Sequence, residues 1–84
     1  MVSRGWKQVD QGKLKDAKIT FEQAISAESN SGAAHFGAGY VAELNGDFSN
    51  AYREYCLARY YEPDTVNLQR EVDGRLRAIG RTCD

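Results

Sequence analysis

Residues 45–64 read NGDFSNAYREYCLARYYEPD, and they have a counterpart at residues 11–30, QGKLKDAKITFEQAISAESN. When the two segments are aligned, small residues match small ones and large apolar residues match large ones, always 34 positions apart. The pairs are Gly12 and Gly46, Leu14 and Phe48, Ala17 and Ala51, Phe21 and Tyr55, Ala24 and Ala58, and Glu28 and Glu62. A constant period of this length is typical of repeated structural units. The two segments are therefore predicted to be copies of one unit.

Length and composition limit the chain to one small domain. Its 84 residues carry a formal net charge of −1, and 27% of them are charged, which gives no overall electrostatic attraction for nucleic acid or for an anionic membrane. No run approaches the roughly 18 apolar residues that a membrane span requires. We therefore expect no nucleic-acid partner and no membrane insertion, and the composition leaves the cellular location open.

Hydrophobic spacing and helix-breaking residues predict five helices and no strand. Bulky residues between Ser31 and Asn45 recur every three to five positions, which is helical spacing. The other predicted helices span residues 3–11, 14–28, 48–61 and a last segment from 64 or 65 to 80. Asp47 is expected to cap the fourth helix and Pro63 to prevent its continuation. In the last helix, a shared apolar side is predicted for Val66, Val72, Leu76 and Ile79.

These residues resemble the tetratricopeptide repeat, a helix–turn–helix unit of 34 residues. The second copy has glycine, alanine, an aromatic residue, alanine and proline where the family has them, at Gly39, Ala51, Tyr55, Ala58 and Pro63. The first copy matches at Gly5, Ala17, Phe21 and Ala24, whereas Ser29 replaces the proline. His35 departs from the family, which usually has a buried aromatic residue at that position.

The resemblance implies an all-α fold in which antiparallel helical hairpins stack as a short right-handed solenoid of about five helices. It divides a single domain, residues 1–84, into repeat one (1–31), repeat two (32–65), a capping helix (66–80) and a tail (81–84). It also implies a non-catalytic protein–protein interaction module that binds a peptide or partner protein in a concave groove. The alternative is a structural or oligomerisation segment of a longer array, with no groove ligand.

Groove residues are predicted from the helical spacing together with the 34-residue period. Phe36, Tyr40 and Glu43 share one helix face, and adding one period reaches Arg70, Gly74 and Arg77. In the family, these positions and the equivalent Trp6 look into the concave surface, so the resemblance implies that the partner-binding residues are Trp6, Phe36, Tyr40, Glu43, Arg70 and Arg77. Such a groove would favour a peptide with apolar anchors and an acidic residue for the arginines.

No catalytic, cofactor or metal site is predicted. His35 is the only histidine and has no Cys, Asp or Glu at ligand spacing, so we expect it to serve in packing. Cys56 and Cys83 fit neither a metal motif nor a dense disulfide framework, and unpaired thiols are the expectation. We therefore do not expect an enzyme.

Two more expectations concern stability and assembly. Two repeats bury little surface, so stability is expected to be marginal. Val2, Trp6 and Val9 lie on a short first helix that no earlier repeat covers, and exposed apolar surface of that kind favours association. The sequence therefore predicts self-association through the N-terminal end.

Overall fold

The part of the chain that the structure describes forms five α-helices, as the sequence predicted. The computed structural model describes residues 2–62 and 66–83, and no strand occurs among them. The helices are α1 (Val2–Asp10), α2 (Leu14–Ala27), α3 (Gly32–Leu44), α4 (Phe48–Tyr61) and α5 (Val66–Ala78). The bounds agree with the predicted ones to within two residues. The predicted roles of Pro63, Asp64 and Thr65 lie outside the described residues.

The turns between helices follow the same 34-residue period. Gly12, Gly46 and Gly80 each follow an odd-numbered helix with φ between 71° and 77°, a left-handed conformation that glycine adopts without steric cost. Asp47 caps α4 as predicted, because its carboxylate accepts a hydrogen bond from the Asn50 backbone N–H at 3.4 Å. These short turns bring consecutive helices into contact.

Contacts between helices show how the chain is arranged. Each helix packs against the next one, and α3 also contacts both α1 and α5. Among the described residues, no Cα atom of α2 lies within 8 Å of a Cα atom of α4. The odd-numbered helices therefore form one continuous row.

The core repeats itself in two halves. Phe21 and Tyr55, one period apart, are both completely buried at the centres of the two halves, as are Ala17 and Ala51. A Cβ atom added at Gly5 would lie 2.6 Å from the Phe21 ring, and one added at Gly39 would lie 2.7 Å from the Tyr55 ring. Both glycines thus allow the same close approach of an odd-numbered helix to an even-numbered one.

Gly39→Ala is expected to destabilise the protein by about 1–3 kcal/mol, because the new methyl group overlaps the buried Tyr55 ring. Gly74→Ala is the matched control, since no atom lies within 4 Å of the added Cβ in the same kind of element. There alanine is expected to stabilise the helix by about 0.5–1 kcal/mol. Urea unfolding measures both changes, and equal effects would contradict the close helix approach.

The prediction of unpaired thiols is wrong, because Cys56 of α4 and Cys83 of the tail form a disulfide whose Cα atoms are 5.6 Å apart. The tail turns back after Gly80, where the Arg81 N–H bonds to the Leu76 carbonyl at 2.9 Å. The Arg81 guanidinium then lies 5.3 Å from the centre of the Tyr52 ring on α4. The two cysteines are 27 positions apart, and that spacing alone gave no reason to pair them.

The apolar strip expected on α1 is largely covered. Val2, Trp6 and Val9 are partly buried and pack against the cluster formed by Ala17, Phe21 and Val41. The first helix uses its apolar residues within its own half of the core. These three side chains therefore expose less apolar surface for self-association than the sequence suggested.

Candidate functional site

An open cleft lies where the three odd-numbered helices meet. We call it the α1/α3/α5 cleft, and it has a volume of about 420 Å³, within the range of ligand-binding pockets. Its lining residues are Trp6 from α1, Ala33 and Phe36 from α3, and Asn67, Leu68 and Glu71 from α5. It is thus a shared surface of all three helices, with no single helix able to form it alone.

Trp6 is the centre of an aromatic cluster beside this cleft. Its ring lies 5.4 Å from that of Phe21 in an edge-to-face arrangement, 5.7 Å from that of Phe36 and 5.4 Å from that of Tyr40. Such pairs contribute roughly 0.5–1.5 kcal/mol each beyond area burial. The indole, which is only partly buried, is therefore held in place by α2 and α3 while one side stays accessible.

A polar network lies next to the aromatic cluster and fixes α5 against α3. Glu43 accepts a hydrogen bond from the Tyr55 hydroxyl at 2.7 Å, and it accepts two from the Arg75 guanidinium at 3.1 and 2.8 Å. The Arg75 guanidinium also lies 5.8 Å from the centre of the Tyr40 ring. Both oxygens of the Glu43 carboxylate thus accept hydrogen bonds from other side chains of the protein.

The network raises the pKa values of two of its side chains. Burial, followed by the hydrogen bond to Glu43, raises the pKa of Tyr55 far above its usual value. The hydrogen bond to Glu43 also raises the pKa of Arg75. Both shifts favour the protonated forms that the network requires.

Stability is expected to fall steeply above about pH 10, because the pKa of Tyr55 is higher in the folded state than its unfolded value of 10.0. A raised pKa means that the folded state holds this proton more tightly, so the stabilisation is complete below that pH and is lost as the pH rises. Tyr55→Phe removes the titrating group and should show a shallower decline. Thermal unfolding from about pH 8 to pH 12 measures both slopes, and parallel slopes would contradict the assignment.

Two of the six predicted partner-binding residues, Trp6 and Phe36, line the α1/α3/α5 cleft. Tyr40 contacts Trp6 next to it, and Glu43 is engaged within the network. Arg70 and Arg77 do not line this cleft; Arg70 is exposed, and Arg77 lines a separate one beside Cys83. The two arginines therefore do not join Trp6 and Phe36 in the lining of this cleft.

The rotation of α5 explains this difference. Val72 and Leu76 form its buried side, and at about 100° per residue Arg70 and Arg77 point to the opposite side. Val66, predicted to be on the buried side, is 61% exposed, and Leu68 packs against the core instead. The four-residue spacing of Leu68, Val72 and Leu76 was the signal that could have placed Leu68 and Glu71 at the cleft.

His35 is buried and serves in packing, as expected. Its Nδ1 lies 3.1 Å from Glu54 Oε1, its Nε2 donates to the Ser29 carbonyl at 2.7 Å, and its ring stacks on Tyr61. Both ring nitrogens thus have hydrogen-bond partners although the side chain is buried. A polar histidine here replaces the aromatic residue that the resemblance would favour.

Other kinds of site are not found in the part of the chain that the structure describes. No group of three or more His, Cys, Asp or Glu side chains there could hold a metal ion. None of the described helices has both the length and the apolar character needed to cross a membrane.

No model of a protein family matches the chain, and neither a curated protein nor a solved structure proved similar to it.

Proposed function

We propose that the chain is a non-catalytic protein-interaction module of the tetratricopeptide type. Its two hairpins would stack as a short right-handed solenoid, with α5 as the capping helix. Two observations support this arrangement. Gly5 approaches Phe21 in the first hairpin as Gly39 approaches Tyr55 in the second. In addition, α1, α3 and α5 form a continuous row.

The observation that carries the functional proposal is the α1/α3/α5 cleft. It is open, it is lined mainly by apolar side chains, and it exposes part of an indole whose position is fixed by three aromatic neighbours. Buried aromatic anchors dominate the binding energy of many interfaces, and a preorganised surface binds with a smaller entropic cost. The ligand is a peptide segment of a partner protein that packs the apolar part of a side chain against Trp6 and Leu68.

Trp6 is the only tryptophan, so its fluorescence reports directly on this cleft. Peptides selected from a random display library on the immobilised protein should change the Trp6 emission saturably. Ala33→Leu adds bulk to the cleft lining and should weaken binding about tenfold or more, since it displaces the apolar anchor.

Ala78→Leu is the matched control, because Ala78 is exposed near the end of α5 and is not part of the cleft lining. Its affinity should equal that of the wild type. Selection of no peptide, or selected peptides that bind Ala33→Leu as tightly as the wild type, would remove the proposal.

A further inference from the structure

The α1/α3/α5 cleft has one charged group and it is negative. Glu71 is the only ionisable residue among its six lining residues, and no ion pair joins it to another described residue. Arg75, one turn further along α5, is already bound to Glu43 through two hydrogen bonds. The cleft therefore has a carboxylate with no counter-ion among its lining residues.

The other lining groups favour the same sign of ligand charge. The faces of Trp6 and Phe36 have negative electrostatic potential, and aromatic faces attract guanidinium and ammonium groups when these lie within about 6 Å. Leu68 and Ala33 provide apolar surface on which the methylene groups of a long basic side chain can pack. An acidic ligand residue would meet the carboxylate of Glu71 without a basic lining residue to compensate.

We infer that the cleft takes an arginine side chain of the partner peptide, with its guanidinium on Glu71 and its methylene groups between Leu68 and Trp6. Arginine fits better than lysine because its planar group both stacks on aromatic rings and pairs with a carboxylate through two hydrogen bonds. The amide of Asn67 offers a further donor and acceptor at the same edge. The inference rests on the proposed peptide-binding function, and it replaces the acidic ligand residue expected from Arg70 and Arg77.

Three capped peptides test the charge requirement, each of the form acetyl-Ala-Leu-X-Leu-Ala-amide. X is arginine, its uncharged isostere citrulline, or glutamate. Titration followed by Trp6 fluorescence should show the arginine peptide binding about tenfold more tightly than the citrulline peptide, and the glutamate peptide binding most weakly. The arginine preference should decrease at high salt, because the Glu71 carboxylate is exposed.

Two variants locate the effect. Glu71→Gln keeps the shape of the side chain and should abolish the preference for arginine over citrulline. Arg70→Gln changes the neighbouring exposed residue, which does not line the cleft, and should keep the preference. Both variants should remain folded, because positions 70 and 71 are exposed, and circular dichroism checks this.

Equal binding of the arginine and citrulline peptides would overturn the inference while leaving peptide binding in place. A preference that persists in Glu71→Gln would do the same. Failure of these peptides and of every library-selected peptide to change Trp6 emission would instead overturn the proposed function together with the inference.

Discussion

Replacement of both cysteines, Cys56→Ser/Cys83→Ser, is expected to lower the free energy of unfolding by about 3.5 kcal/mol. The disulfide closes a loop across 27 positions, and a crosslink of this span restricts the unfolded chain by about that amount in the chain-entropy account. A domain of this size has a total stability of only roughly 4–13 kcal/mol. The marginal stability expected from two repeats is thus raised considerably by this one bond.

The loss should be concentrated in the C-terminal part of the chain. Hydrogen exchange is expected to accelerate most in α5, since the disulfide joins the tail that follows it to α4. Guanidinium unfolding of the double variant, and of the wild type with a reducing agent, should give the same lowered value. The reducing agent should not affect the double variant, and a loss below about 1 kcal/mol would show that the bond adds little.

Glu43→Val is expected to destabilise the protein by about 2–3 kcal/mol. The change leaves the hydroxyl of Tyr55 without an acceptor in a residue that has no solvent exposure. It also removes the partner of Arg75, although this guanidinium is partly exposed and its loss contributes less. Urea unfolding monitored by circular dichroism measures the change.

The first half of the chain provides a matched rescue. One period before Glu43, Tyr55 and Arg75 stand Val9, Phe21 and Val41, which pack together in an apolar cluster. The triple variant Glu43→Val/Tyr55→Phe/Arg75→Val places the same apolar residue types at the equivalent positions of the second half. It should lie within about 1 kcal/mol of the wild type, because well-packed apolar groups often replace a buried polar network at little cost. A triple variant as unstable as Glu43→Val would contradict the equivalence of the two halves.

Most of the fold could be predicted because the two halves of the core pack in the same way. Phe21 and Tyr55 were paired by the period, and the structure places both at the centre of a half-core with no exposure. Gly39 was expected to allow close helix packing, and it does so against Tyr55. These features depend on contacts between neighbouring helices, which the local sequence pattern specifies well.

The candidate site could be predicted only in part, because α5 does not continue the pattern. One period after Gly39 stands Asp73, which pairs with Arg59 at 2.6 Å. This helix makes no close glycine approach of the kind seen in α1 and α3. Extending the period to Arg70 and Arg77 therefore placed them at a groove that α5 instead lines with Leu68 and Glu71.

The disulfide depended on the path of the tail, which no residue spacing describes. Cys83 reaches α4 only because the chain reverses after Gly80 and Arg81 lies over Tyr52. Two cysteines in a chain of 84 residues carry little pairing information by count alone. The pairing of the two cysteines therefore follows from the three-dimensional path of the tail.

The arrangement of α1, α2 and α3 around one indole is most directly tested by the proton–proton Overhauser contacts of Trp6 in solution. The structure predicts contacts from the indole protons to the rings of Phe21, Phe36 and Tyr40, which belong to two different helices. Contacts to all three rings would establish both the packing of the first hairpin on the second and the aromatic wall of the cleft. Contacts confined to residues of α1 itself would contradict the account.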